Sequence, residues 1–126
     1  RNVILVGVGN LGMALMAYKG FPLQRFNIVA SFDMDIRKIG RRVEDVTIHD
    51  IQDLNSIVAD TKTQLAIVSV PASSAQEVIN KLVSAGIKAI LNFAPVSLTV
   101  PENVVLQNVV LSIELDRLYY LLKNPR

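Results

Sequence analysis

Short apolar runs rich in β-branched residues recur along the chain and predict its strands. They cover residues 3–8, 26–32, 65–70 and 89–93, and more weakly residues 46–48 and 104–106. Most of these runs are continuous rather than alternating, which is typical of strands that helices cover on both faces. We therefore expect a parallel sheet.

Segments with helical spacing lie between these runs. Their predicted buried faces are Leu11, Leu15 and Tyr18; Ile51, Leu54 and Val58; and Val78, Ile79, Leu82 and Val83. In the third segment, residues 74–77 (Ser-Ala-Gln-Glu) form a predicted capping box, and Gly86 supplies a left-handed stop. The alternation of strands and helices along the chain predicts an α/β fold. We expect a single domain with a Rossmann fold, that is, a doubly wound parallel sheet.

The last predicted helix, residues 110–122, is apolar nearly all round. Its apolar residues are Val110, Leu111, Ile113, Leu115, Leu118, Tyr119, Tyr120, Leu121 and Leu122. Such a helix is normally buried on several sides. Either a second subunit covers it or it packs into its own domain, and we favour the first. The predicted division is a Rossmann cofactor domain, residues 1–108, and a C-terminal dimerisation helix, residues 109–126.

Composition narrows the classes of function. The 126 residues, 51% of them hydrophobic, allow one sizeable core. A net charge of +2, with 19% charged residues, does not supply the basic stripe of a nucleic-acid-binding surface. The chain has no cysteine, which fits a reducing compartment, and no apolar run reaches the roughly 18 to 20 residues that span a bilayer. We expect a soluble, cytoplasmic protein without a membrane partner.

A glycine motif follows the first predicted strand and opens the first helix: Gly7-Val8-Gly9-Asn10-Leu11-Gly12. In this context the glycines allow a tight turn and a close approach to a pyrophosphate, which the helix N-terminus attracts. Asp33 stands where an acidic residue binds the adenosine ribose, and its charge would repel a 2′-phosphate. The motif predicts NAD(H) rather than NADP(H); the other interpretation is a tight turn in a different α/β protein.

Four basic residues follow Asp33: Arg37, Lys38, Arg41 and Arg42. They either meet a phosphate near the adenosine or form a solvated helix face, and the second is the more common case.

Two neutral loops are expected to border the nicotinamide, because ligands lie beyond the carboxyl ends of parallel strands. They contain Val70 and Pro71, and Asn92, Phe93, Ala94 and Pro95. An uncharged pocket favours the neutral reduced ring over the cationic oxidised ring. No general acid or base and no metal-ligand spacing accompanies them, and His49, the single histidine, is predicted in a loop or cap on the adenosine side. We therefore predict that the cofactor is a signal and that the protein is not an enzyme.

Four stretches resemble the core domain of the bacterial redox-sensing transcriptional repressors called Rex. They are residues 3–12, 32–35 (Phe-Asp-Met-Asp), 70–72 (Val-Pro-Ala) and 85–96. The resemblance implies a homodimer that binds operator DNA when NADH is scarce and releases it when NADH accumulates. In that family an N-terminal winged-helix domain contacts the DNA, and we expect this chain, which has no such domain, to be the sensing half.

The resemblance also assigns roles near the C-terminus. It implies that the last helix is exchanged between subunits, and we place Leu111, Leu115 and Leu118 at that contact. Tyr18 matches a tyrosine that connects the cofactor site to the DNA-binding half. In some members this tyrosine pairs with an aspartate on the exchanged helix, and Val110 stands at the matching position.

Two alternatives remain open. The CoA-binding domain of a succinyl-CoA synthetase α-subunit shares the architecture and the glycine turn, but its ligand carries a 3′-phosphate that Asp33 should repel. The other is the cofactor domain of an NAD-dependent dehydrogenase without its substrate domain. Titration with NADH, NAD⁺, NADPH and CoA distinguishes a CoA-binding domain from an NAD(H) sensor. Whether the parent gene encodes an upstream winged helix or a downstream catalytic domain distinguishes a sensor from a dehydrogenase.

Overall fold

A computed structural model describes residues 1–124, apart from the side chains of Leu111 and Glu114. The strands are β1 (Asn2–Val6), β2 (Asn27–Asp33), β3 (Arg42–Val43), β4 (Val46–Asp50), β5 (Leu65–Val68), β6 (Ala89–Asn92) and β7 (Val105–Asn108). The helices are α1 (Asn10–Ala17), α2 (Gly20–Leu23), α3 (Leu54–Thr61), α4 (Ala72–Ala85) and α5 (Leu111–Lys123), and a 3-10 turn, Ile51–Asp53, precedes α3.

Within residues 1–124 the strands form one seven-stranded sheet in the order β3-β4-β2-β1-β5-β6-β7. All neighbours run parallel except β3 and β4, which form an antiparallel hairpin at the edge. The chain moves outward from β1 in one direction through β2 and returns to the other side at β5. Loops after β1 and β5 therefore diverge and leave a crevice at the carboxyl edge. This confirms the predicted doubly wound Rossmann sheet.

Helices cover both faces of the sheet, which explains why β1 is continuously apolar. Ile4 and Val6 pack in one cluster with residues of α3 and α4, such as Val58 and Ile79. Val3 and Leu5, on the opposite face, pack in a second cluster with Met16 of α1. Alternate side chains of the strand thus meet different helices, and both sets are buried.

The predicted buried face of α1 is correct for Leu15, which packs against the second cluster, but wrong for Leu11 and Tyr18. The helix buries Gly12 and Met16, whereas Leu11 is exposed and Tyr18 is an exposed residue at the C-cap. A Cβ at Gly12 would overlap the carbonyl oxygen of Gly7, so this position must face the turn. That contact sets the rotation of the helix and turns Leu11 outward.

The predicted capping box of α4 is also wrong, although its stop is confirmed. The helix begins at Ala72, directly after Pro71, so Ser74 lies inside the first turn. Pro71 is the N-cap, with φ −59°, and its carbonyl accepts from the N–H of Ser74 at 3.0 Å, while no side chain caps the helix. Gly86 ends the helix in the left-handed conformation, at φ +103°.

Two further local predictions fail in the segment between β2 and α3. His49 lies in β4, with its ring centroid 5.7 Å from that of Phe32, rather than in a loop or cap. Asp50 supplies the cap of the 3-10 turn instead, accepting from the N–H of Gln52 at 2.9 Å. The basic residues do not form a helix face, because residues 36–40 make a turn and Arg42 lies in β3.

The connection from β6 to β7 contains no helix in the described structure. Its residues Leu98 and Val100 pack against the core cluster beneath α4, so this proline-containing segment belongs to the domain. In residues 1–124, no helix is both long and apolar enough to cross a membrane.

Candidate functional site

A cleft of about 470 Å³ lies at the carboxyl edge of the sheet, between the turn after β1 and the ends of β2 and β5. This is the crevice expected where the strand order reverses. Its lining residues are Val6, Gly7, Val8, Gly9, Asn10, Leu11, Asp33, Met34, Asp35, Lys38, Ile51, Ser69, Val70, Pro71 and Val78.

Each of the three glycines in the turn is required for a different structural reason. Gly7 has φ +98°, and a Cβ there would overlap the backbone of Ser69. A Cβ on Gly12 would overlap the Gly7 carbonyl, so α1 packs directly on the turn. A Cβ on Gly9 would meet no atom within 4 Å, although this residue lines the cleft. Gly9 therefore leaves room for a ligand and not for packing within the chain.

The N-terminus of α1 opens into the cleft. Gly9 is its N-cap and no side chain caps it, while the first helical hydrogen bond runs from Met13 N–H to the Gly9 carbonyl at 2.9 Å. The N–H groups of the first turn have no carbonyl partner in the helix. With the dipole of the helix, they make this end favourable for an anionic group.

Asp33 lies half-buried at the end of β2, on the rim of the cleft. Its Oδ2 accepts from the backbone N–H of Val8 at 2.8 Å, and its Oδ1 accepts from the N–H of Asp35 at 2.9 Å. Two bonds to backbone groups hold the carboxylate in one orientation. Since a carboxylate has about four acceptor positions, it can also accept from ligand hydroxyls.

Asp35 and Lys38, two charged residues that follow β2, also line the cleft. The Arg37 guanidinium hydrogen-bonds the Asp35 carboxylate at 3.1–3.2 Å and lowers the pKa of that carboxyl below its usual value. Lys38 reaches back 30 residues along the chain, and its Nζ donates to the carbonyl of Val8 at 2.8 Å. Charged groups of both signs therefore meet the glycine turn.

The two loops predicted to border the nicotinamide differ in position. Val70 and Pro71 line the cleft, whereas the loop after β6 does not. Asn92 is fully buried: its amide donates to the Ala94 carbonyl and to Asn108 Oδ1, each at 3.0 Å, and it accepts from Ala94 N–H at 2.9 Å. Contact of a ligand with Asn92, Phe93, Ala94 or Pro95 stays a prediction.

An apolar groove of about 360 Å³ lies on the α1 face of the sheet, away from the cleft. Tyr18 forms one wall, with its ring edge-to-face against Phe21 at 4.9 Å. The remaining lining residues are Val3, Gly20, Gln24, Phe26, Ile28, Leu65, Ile67 and Leu91.

Helix α5 leaves its apolar side chains exposed: Leu115 is 66% and Leu118 62% accessible. It does not bury them against its own domain, as the alternative interpretation required. Val110, the N-cap, is half-buried, and the side chain of Leu111 lies outside the described structure.

Comparison with known proteins places this fold in a family. The sequence pattern of CoA-binding domains matches residues 1–96. The chain belongs to the CoA-binding domain family. Redox-sensing transcriptional repressors Rex are its relatives: those of Desulfitobacterium hafniense and Pelotomaculum thermopropionicum are 49% and 45% identical over 94% of this chain. The chain spans 57% and 55% of their lengths.

Solved structures of RSP, a Rex-family repressor, share this fold. The complex of RSP with NADH has a TM-score of 0.91 and 39% identity, and covers 98% of this chain and 60% of RSP. The complex of RSP with NAD⁺ and operator DNA has a TM-score of 0.90 and the same identity, covering 98% of this chain and 57% of RSP. The resemblance to Rex that the motifs indicated is confirmed.

In this CoA-binding-family domain, sequence reasoning did not single out Ser69, and for Lys38 it favoured a solvated helix face over a phosphate contact. Ser69 donates its hydroxyl to the Gly7 carbonyl at 2.8 Å, and Lys38 donates to Val8. No pattern marks Ser69, because only the pairing of β1 with β5 brings it to the turn. For Lys38 a signal existed in Gly40, which ends a turn at φ +91° and is incompatible with a continuous helix face.

Proposed function

We propose that this chain is the NAD(H)-sensing domain of a redox-responsive transcriptional repressor. The observation that carries the proposal is the Asp33 carboxylate, held at 2.8 Å from Val8 N–H beside the open N-terminus of α1. This arrangement suits an adenosine ribose joined to a pyrophosphate. The relatives named Rex, and the NADH and NAD⁺ complexes of RSP, support the same ligand.

In the proposed complex each part of the cleft contacts a different part of NAD(H). The pyrophosphate lies at Gly9 and the first turn of α1, where N–H groups are free to donate. The ribose hydroxyls donate to Asp33, whose charge repels a 2′-phosphate. Val70 and Pro71 continue the cleft beyond β5, and the loop of residues 92–95 borders the nicotinamide.

The same carboxylate argues against CoA, although the family takes its name from that ligand. CoA carries a phosphate on the adenosine ribose, which would approach Asp33 with like charge. A phosphate carries up to two negative charges, so repulsion across a partly desolvated cleft is strong. We therefore propose NAD(H) rather than CoA as the ligand.

We propose that the cofactor is sensed and not consumed. The ionisable side chains lining the cleft within the described residues, Asp33, Asp35 and Lys38, all lie on the β2 side, where the adenosine is placed. In the proposed complex these side chains lie at the adenosine end of the ligand, too far from the nicotinamide to take part in a hydride transfer. The relatives are named transcriptional repressors, which agrees with a regulatory role in the cytoplasm, where the DNA is.

We further propose a homodimer in which residues 109–126 of each chain pack on the partner. The exposed leucines of α5 match the apolar groove that Tyr18 borders, and burying them would remove unfavourable apolar surface from water. Operator DNA would be contacted by a winged-helix domain outside this chain, which spans a little over half of its relatives.

Calorimetric titration with NADH, NAD⁺, NADPH and CoA tests the cofactor assignment. We expect binding of NADH and NAD⁺, with NADH the tighter, and affinities for NADPH and CoA at least about tenfold weaker because of the phosphate repulsion. Tighter binding of CoA than of NADH would overturn the proposal and favour an acyl-CoA role.

A further inference from the structure

The turn after β1 has its backbone groups bound by the rest of the chain before any ligand arrives. Gly7 donates its N–H to the carbonyl of Phe32 at 2.8 Å and accepts at its carbonyl from the Ser69 hydroxyl at 2.8 Å. Both backbone polar groups of Gly7 are thus satisfied, one by β2 and one by the residue after β5.

Val8, the next residue, is bound on both sides by charged side chains. Its N–H donates to Asp33 and its carbonyl accepts from the Lys38 ammonium, each at 2.8 Å. A hydrogen bond that involves a charged group is shorter and stronger than a neutral one. The pair therefore clamps Val8 and leaves the N–H groups from Gly9 onward to a ligand.

Lys38 is held in place by the turn that carries it. Its own N–H donates to the Asp35 carbonyl at 2.9 Å, and Gly40 at the other end donates to the Ile48 carbonyl of β4 at 2.7 Å. The Lys38 side chain is half-buried. An anchored turn and a partly buried stem reduce the entropy lost when the ammonium is fixed on Val8.

Lys38 also sets the charge of the cleft. Among the lining residues within 1–124 it is the one cation, beside the carboxylates of Asp33 and Asp35. Arg37 neutralises Asp35 from outside the cleft. Without Lys38 the uncompensated Asp33 carboxylate would repel the pyrophosphate that the helix N-terminus attracts.

We propose that Lys38 is a positioning residue of the dinucleotide site, which holds the Val8 carbonyl so that the glycine turn fits a pyrophosphate and which compensates the charge of Asp33. This inference rests on the proposed NAD(H) function. It predicts that Lys38 acts on ligands that carry the pyrophosphate and has no effect on the nucleoside alone.

The test compares Lys38→Met, Lys38→Gln and Lys38→Arg with the unmodified protein. NADH affinity is followed by nicotinamide fluorescence, and ADP and adenosine are measured by their displacement of NADH. We expect Lys38→Met to weaken NADH and ADP about tenfold, the range of one charge-assisted hydrogen bond, and to leave adenosine unchanged. Lys38→Gln, which keeps an N–H donor without the charge, should be intermediate, and Lys38→Arg should restore most of the affinity.

Lys81→Met is the matched control, since Lys81 lies on α4 and pairs with Glu77 at 4.0 Å, away from the cleft. It makes the same change of charge and should alter none of the affinities. NADH affinity equal to that of the unmodified protein in both Lys38→Met and Lys38→Gln would overturn the inference, as would an equal loss for adenosine and ADP. Failure of the unmodified protein to bind NADH would instead reject the proposed function.

Discussion

A hydrogen bond of 2.8 Å joins Val8 to Asp33, from the backbone N–H of the glycine turn to the carboxylate at the end of β2. It links residues 25 positions apart across the cleft edge. The carboxylate thus shapes the turn that would receive the pyrophosphate and also faces the proposed ribose. Changes at this contact should affect the affinity and the selectivity of the site together.

Replacing Asp33 with asparagine should reduce the preference for NADH over NADPH. Asn keeps one acceptor for Val8 N–H but removes the charge that repels a 2′-phosphate. We expect the ratio of the two affinities to fall about tenfold, corresponding to roughly 1.4 kcal/mol, when measured by calorimetry. Asp60→Asn, on the exposed side of α3, is the control. An unchanged ratio in Asp33→Asn would contradict the assignment of the ribose site.

Alanine at Gly9 should impair ligand binding, whereas alanine at Gly12 should impair stability. Gly9 has φ −85° and open space at its Cβ position, so Gly9→Ala should keep the melting temperature but weaken NADH binding. Gly12→Ala would press on the Gly7 carbonyl and should lower stability by about 1–3 kcal/mol. Thermal unfolding with and without NADH separates the two. Normal NADH affinity in Gly9→Ala would show that no ligand approaches this turn.

Asn92→Ala should destabilise the fold. Asn92 is completely buried, and its loss leaves both backbone groups of Ala94 without their side-chain partners. We expect a decrease of about 1–3 kcal/mol in the free energy of unfolding in urea. The exposed Asn80, on α4, is the control, and Asn80→Ala should change stability by no more than about 0.5 kcal/mol. If Asn92→Ala and the unmodified protein were equally stable, water would have to replace the hydrogen bonds of the Asn92 amide.

Leu118→Glu should break the proposed dimer. The leucine is exposed on α5, and a glutamate buried at an apolar contact would be strongly unfavourable. Sedimentation velocity should show dimers for the unmodified protein and monomers for the variant. Ser84→Glu, on the exposed side of α4, should remain dimeric. Monomers of the unmodified protein at high micromolar concentration would reject the dimer.

The sequence by itself determined the class of fold and the principal parts of the cleft. Continuous apolar runs predict strands because burial on both faces acts on every position, as in Ile4 and Leu5 of β1. The positive φ at Gly7 and Gly86 follows from a local steric rule that glycine alone satisfies without strain. These features depend on neighbouring residues in the chain, so a pattern can reveal them.

Only the tertiary structure decided what depends on residues far apart in the sequence. Contact between Gly12 and the Gly7 carbonyl rotates α1 and exposes Leu11, against its periodicity. Lys38 enters the cleft because the turn before β3 brings it to Val8, 30 residues away. Local patterns do not encode such distances, since hydrogen bonds of this kind exist only once parallel strands have placed their carboxyl ends together.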